Sequence, residues 1–217
     1  MIDALKLCGL KTTHDVDAAV AAGATHVGLV RFPKSPRHLR IDEAAALARH
    51  AESAVRTVVV TVDAPDGEIE QIVDEIAPDM IQLHGHESPE RAREVMERWS
   101  VGVIKAIGVR TADDLAKADD YLEIADALLF DAKPPEGADL PGGNGVGFDW
   151  SILKDHDPGL RWFLAGGIHA GNLTEAVERS GARALDLSSG VEDAPGVKSA
   201  AKIAAVGDAV RGLTATG

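Results

Sequence analysis

The chain has 217 residues, 45% of them apolar and only 4% aromatic, so a core must be built mainly from Ala, Val, Leu and Ile. Lys and Arg total 22 against 35 Asp and Glu, a formal charge of −13, which argues against the basic surface that nucleic acid or anionic lipid requires. The start, Met1-Ile2-Asp3, lacks the basic-then-apolar pattern of a secretory signal, and no apolar run is long enough to cross a bilayer, so a cytoplasmic protein is expected.

The first element reads as a strand over 4–8, broken by Gly9. Cys8 is the only cysteine, and Lys6 shares its face because strand side chains alternate. A neighbouring ammonium favours the reactive thiolate; the alternative is a small buried hydrophobe. Thr12-x-x-Asp15 opens a helix over 13–22 as a capping box, and a strand follows over 26–30. The loop Phe32-Pro33-Lys34-Ser35-Pro36-Arg37-His38 is either a solvated turn or an anion clamp, with the planar fork of Arg37 suited to a carboxylate.

A helix over 42–52 and a strand over 56–62 come next, then a helix over 67–76 whose apolar stripe is Ile69, Ile72, Val73 and Ile76. The strand over 80–83 places Gln82 and His84 on one face at its end. Ser88-Pro89 starts a helix over 89–99, with a capping serine before a first-position proline. A strand over 102–107 leads to a second capping box, Thr111-x-x-Asp114, and a helix over 112–118. The strand over 127–131 ends its apolar run at Asp131, and the Pro- and Gly-rich stretch 134–148 then reads as a mobile active-site loop.

A short helix over 149–154 precedes the strand over 161–165, which turns through Gly166-Gly167. A helix over 170–180 leads to the strand over 184–188, where Asp186 and Ser188 share a face before the turn Ser188-Ser189-Gly190. The last helix is expected over 197–210.

The strand ends recur every 21 to 34 residues, the length of one strand–helix unit. Eight such units predict a single (β/α)8 TIM barrel occupying residues 1–217, with an open doubly wound sheet as the alternative. In a barrel, polar residues at the C-terminal ends of strands mark a site, and loops after the seventh and eighth strands often hold phosphate on backbone N–H groups. Cys8, Gln82, His84, Asp131, Asp186 and Ser188 all fall at such ends. No metal signature is present, because His84-Gly85-His86 has no cysteine partner. Gly143-Asn144-Gly145-Val146-Gly147 follows no strand, so it is not a dinucleotide fingerprint.

These motifs together resemble the phosphoribosylanthranilate isomerase family of tryptophan biosynthesis. The resemblance is carried by Lys6-Leu7-Cys8-Gly9, Phe32-Pro33-Lys34-Ser35-Pro36-Arg37, Gln82-Leu83-His84-Gly85, Leu129-Phe130-Asp131, Gly142-Gly143-Asn144-Gly145 with Phe148-Asp149-Trp150, Ala165-Gly166-Gly167-Ile168, and Asp186-Leu187-Ser188-Ser189-Gly190-Val191-Glu192. Leu7, Leu10, Arg31 and Asn144 depart from the residues usual in the family.

The resemblance implies an Amadori rearrangement of an aminoaldose to an aminoketose, with Asp131 as general acid, Cys8 as general base and no cofactor. It implies a small anionic sugar-phosphate substrate, no nucleic-acid or membrane partner, and a monomer or weak homodimer. Arg37 would take the anthranilate carboxylate, and Gln82, His84 and Asp186 would contact the substrate. Gly143, Gly145, Gly166, Gly167, Ser188, Ser189 and Gly190 would hold the phosphate. On this reading the Cys8 thiol is expected below its ordinary value of roughly 8.5, with Lys6 as the cause, and Asp131 is expected to be raised toward neutrality by its apolar strand. Two competitors are a related phosphate-handling barrel enzyme, such as another aminoaldose isomerase or indole-glycerol-phosphate synthase, and a non-catalytic phosphate-binding module.

Overall fold

The computed structural model describes residues 1–133, 142 and 147–215. Eight strands hydrogen-bond in sequence order: β1 (Ala4–Cys8), β2 (His26–Val30), β3 (Arg56–Thr61), β4 (Met80–Leu83), β5 (Gly102–Val109), β6 (Ala127–Ala132), β7 (Trp162–Leu164) and β8 (Ala184–Leu187). They are parallel, and β1 pairs with β8, so the sheet closes into a barrel and the open-sheet alternative falls. Helices cover the outer face and side chains fill the inner one, so strands such as Val58-Val59-Val60 and Leu128-Leu129-Phe130 are buried on both sides.

The inner face has two zones. Toward the N-terminal ends of the strands it is an apolar plug of Ala4, Val58, Met80, Ile104, Ala127, Leu129, Phe163 and Ala184. Two residues further along several of the same strands, the inward positions become Lys6, Gln82, Asp131 and Asp186, all buried. Strand alternation therefore places a polar floor on top of a packed base.

The outer layer contains α1 (Thr13–Ala21), α2 (Ile41–Ala51), α3 (Asp66–Ile76), α4 (Pro89–Trp99), α5 (Leu173–Ser180) and α6 (Ala200–Ala215). Ile69, Ile72 and Ile76 bury the stripe of α3, and Val73 packs at its edge. The Thr12 and Thr111 capping boxes both form, and Ser88 caps α4 ahead of Pro89.

Three helices differ from expectation. Ala112–Tyr121 winds as a 3-10 helix because its Asp-rich sequence has weak α propensity. The Asp114 carboxylate is also drawn back to accept from the backbone N–H groups of Arg110 and Thr111. Trp150–Leu153 is one 3-10 turn, too short to hold an α-helix. The expected helix over 197–210 begins only at Ala200, because β9 (Glu192–Ala194) and β10 (Val197–Lys198) form an antiparallel ribbon first. Pro195-Gly196 makes its turn, with Gly196 at φ 78° and packed against the Pro36 carbonyl. Among the described residues no helix is long and apolar enough to cross a membrane.

Candidate active site

Cys8 is the last residue of β1, and Gly9 turns the chain away at φ 76°. The sulfur lies beside Gly28 of β2, where a Cβ would sit 2.6 Å from it; the missing side chain is what makes room for the thiol. Val30, Val60 and Phe32 complete an apolar wall around it. Two residues earlier, Lys6 is 0% exposed with its Nζ 3.0 Å from Asp186 Oδ1. The β1–β8 register sets this pair, since Lys6 and Asp186 are direct strand partners.

The electrostatics at Cys8 differ from the sequence expectation. Burial pushes the thiol above its ordinary value; Lys6 pulls it down, Asp186 pushes it up, and Lys198 pulls it down. Lys6 does oppose the shift, but its charge is shared with Asp186, and desolvation wins. Burial would likewise lower the Lys6 ammonium, but Asp186 and Cys8 outweigh it and hold Lys6 above its ordinary value.

Asp131 lies in β6 with Gly108 of β5 as its strand partner. Its Oδ1 accepts from the Ala132 N–H at 2.8 Å, and its Oδ2 is 3.5 Å from His84 Nε2. Gly142 and Gly166 both crowd this carboxyl: a Cβ on Gly142 would lie 2.6 Å from Oδ2, and one on Gly166 3.2 Å from Oδ1. Behind His84, the Gln82 amide nitrogen is 2.6 Å from Nδ1, so Gln82 orients the ring. The loop after β4 is braced from outside the barrel by Glu87, which accepts from the N–H groups of Asp63 and Gly85 and from Lys105 Nζ.

The turns after β7 and β8 meet backbone to backbone. Gly166 and Gly167 have φ of 89° and 69°, conformations that only glycine adopts readily. A Cβ on Gly190 would collide with the Ile168 carbonyl oxygen, so the second turn lies directly on the first. Ser188 Oγ donates to the Cys8 carbonyl at 3.0 Å, which ties this turn to the end of β1. Ser189 begins the short 3-10 turn Ser189–Val191. Gly143 and Gly145, and most of the expected loop 134–148, lie outside the described residues.

Arg37 is buried and packs over Gly9, where a Cβ would come 2.5 Å from its Cδ. Its Nε and Nη2 both donate to the Glu192 carboxylate at 2.8 Å, a bidentate pair. The guanidinium expected to be a clamp is thus itself held. Glu192 belongs to β9 and also accepts from Lys198 Nζ of β10 at 2.7 Å.

Residues 5–209 match the family described as PRAI: N-(5'phosphoribosyl)anthranilate (PRA) isomerase. The chain belongs to this family. It is similar to the N-(5'-phosphoribosyl)anthranilate isomerase of Rhizobium meliloti (strain 1021), 49% identical over 207 residues, covering 95% of this chain and 96% of that one. The phosphoribosyl anthranilate isomerase structure from Thermotoga maritima aligns with a TM-score of 0.87 at 32% identity, covering 98% of this chain and 100% of the other. A further isomerase structure, with a TM-score of 0.84 at 30% identity and the same coverage, contains reduced 1-(o-carboxyphenylamino)-1-deoxyribulose 5-phosphate.

Two residues at this isomerase-family site were not singled out by the sequence, Glu192 as the holder of Arg37 and Lys198. The usable signal was Pro195-Gly196, a turn dipeptide whose turn brings β10 back against β9.

Proposed function

We propose that the chain is a catalytic barrel converting N-(5-phosphoribosyl)anthranilate to 1-(2-carboxyphenylamino)-1-deoxyribulose 5-phosphate in tryptophan biosynthesis. The observation that carries this reading is that, in a member of this family, Cys8 and Asp131 sit at the C-terminal ends of strands of one closed barrel. The joined glycine turns after β7 and β8 lie on the same rim, beside Cys8.

Asp131 donates a proton to the ribose ring oxygen, and the C1–O bond breaks to leave a protonated Schiff base at C1. Cys8, as thiolate, removes the C2 proton, and the C–H electron pair forms the C1–C2 double bond of an enolamine. The enol hydroxyl then loses its proton as C1 gains one, giving the ketone. No hydrogen leaves as hydride, so no redox partner is consumed. His84, oriented by Gln82, steadies the Asp131 carboxyl. Arg37, held by Glu192, takes the anthranilate carboxylate, and Asp186 and the Lys6 ammonium lie beneath the sugar. Gly166, Gly167, Ser188, Ser189 and Gly190 receive the phosphate, with Gly143 and Gly145 assigned the same role from the family resemblance alone.

The chain acts as one domain, as a monomer or weak homodimer, since the reaction asks for nothing from a second copy. The test is a fluorescence assay following loss of phosphoribosylanthranilate without added metal or nucleotide. Turnover is expected. Binding of the substrate without turnover, or turnover only of a different aminoaldose, would overturn the reading.

A further inference from the structure

Lys198 is a lysine side chain only 1% exposed, at the short second strand of the β9–β10 ribbon. Its Nζ lies 2.7 Å from Glu192 Oε1, 3.0 Å from the Ser188 carbonyl oxygen and 3.4 Å from Ser188 Oγ. These contacts lead to two different parts of the site. Glu192 holds the Arg37 guanidinium through two bonds of 2.8 Å. Ser188 opens the turn whose Gly190 rests on Ile168, and its hydroxyl donates to the Cys8 carbonyl.

A buried ammonium is costly to desolvate, and a two-stranded ribbon this short is marginal alone. An apolar residue at 198 would tie the ribbon down at lower cost. The ammonium does what an apolar residue does not: it fixes a carboxylate on one side and a backbone carbonyl on the other.

We propose that Lys198 is a positioning residue for the isomerisation, holding the Arg37–Glu192 pair and the Ser188 turn in one register and placing positive charge beside Cys8. This rests on the function proposed above. The charged groups that act on the thiol come from three strands: Lys6 of β1, Asp186 of β8 and Lys198 of β10. Lys6 is already paired with Asp186 at 3.0 Å, and the effect of Lys198 on the thiol has the same sign as that of Lys6. Burial pulls the Lys198 ammonium below its ordinary value, while Glu192 and Cys8 support its charge.

The test compares the parent with K198M, K198Q and K198R, measuring steady-state constants with phosphoribosylanthranilate and the ultraviolet titration of the single thiol, with C8S as the blank. Loss of the charge in K198M is expected to lower kcat/KM by about 100-fold, chiefly through KM, since a small misplacement of positioning groups has that effect. The thiol titration is expected to move upward by about one pH unit. K198R should recover part of both. K198Q, which keeps an N–H for the Ser188 carbonyl, takes the place of K198M if the latter does not fold. A folded, charge-free variant with the parent's KM and the parent's thiol titration would overturn the proposal. So would a K198R that recovers melting temperature but neither readout. If the parent itself fails to turn over the substrate, the functional reading fails, and the thiol titration still decides whether Lys198 acts on Cys8.

Discussion

Lys6 Nζ and Asp186 Oδ1 face each other across the seam where the first and last strands meet, 3.0 Å apart and 0% and 8% exposed. A pair this buried returns little net stability, but removing one partner strands the other charge in the interior. D186N is therefore expected to lower unfolding free energy by about 3–5 kcal/mol. K6M/D186L should recover most of that loss in denaturant titrations, yet not recover turnover. Restored turnover in the double variant would show the pair to be structural only.

The reaction needs Asp131 carrying its proton and Cys8 lacking one. Because burial pushes the Cys8 thiol above its ordinary value, ultraviolet titration of this single thiol in the free enzyme is expected to show a midpoint above that of an unperturbed cysteine. A midpoint below that of an unperturbed cysteine would contradict the burial argument. C8S and D131N should each lower turnover by orders of magnitude while retaining the parent's circular dichroism.

His26 is an inward residue of β2, edge-on to Phe163 at 5.4 Å and bonded through Nδ1 to Thr25 Oγ1 at 2.8 Å. Burial, followed by the nearby Lys6, lowers it from 6.5 to about 4. The unfolded chain therefore binds a proton that the folded chain refuses between those values, and stability falls as pH drops from 6.5 to about 4. Below that window the penalty is complete. H26Q should flatten this part of the melting-temperature profile; an unchanged slope would place the acid sensitivity elsewhere.

Gly190 has no space for a Cβ, because the Ile168 carbonyl occupies it. G190A is expected to push the two turns apart, raise KM by about tenfold or more and cost about 1–3 kcal/mol of stability. Inorganic phosphate should weaken as a competitive inhibitor in parallel. A KM change without loss of phosphate inhibition would mean that these turns do not receive the phosphate.

The eight strands were legible because burial on both faces leaves short apolar runs, and the breaks after them carry glycine, proline or capping residues. Cys8 and Asp131 were placed by the ends of their strands, and the shared faces of Gln82 with His84 and of Asp186 with Ser188 by strand alternation. What escaped was partnership. Nothing in the spacing of Arg37 and Glu192 tells that a residue after β2 binds one after β8, because that contact exists only once the barrel closes. The direction of the Cys8 shift escaped for the same reason: Lys6 is visible two residues away, but the Asp186 that shares its charge is 180 residues distant.

The same seam bears on how the chain is made. A nascent polypeptide exposes Lys6 180 residues before its counter-ion. Until then an incomplete barrel must either keep that ammonium hydrated or bury it alone, so its first strand stays undocked. Closure is thereby deferred until β8 has emerged, and a truncation before Ala184 yields an open, edge-exposed sheet that invites aggregation.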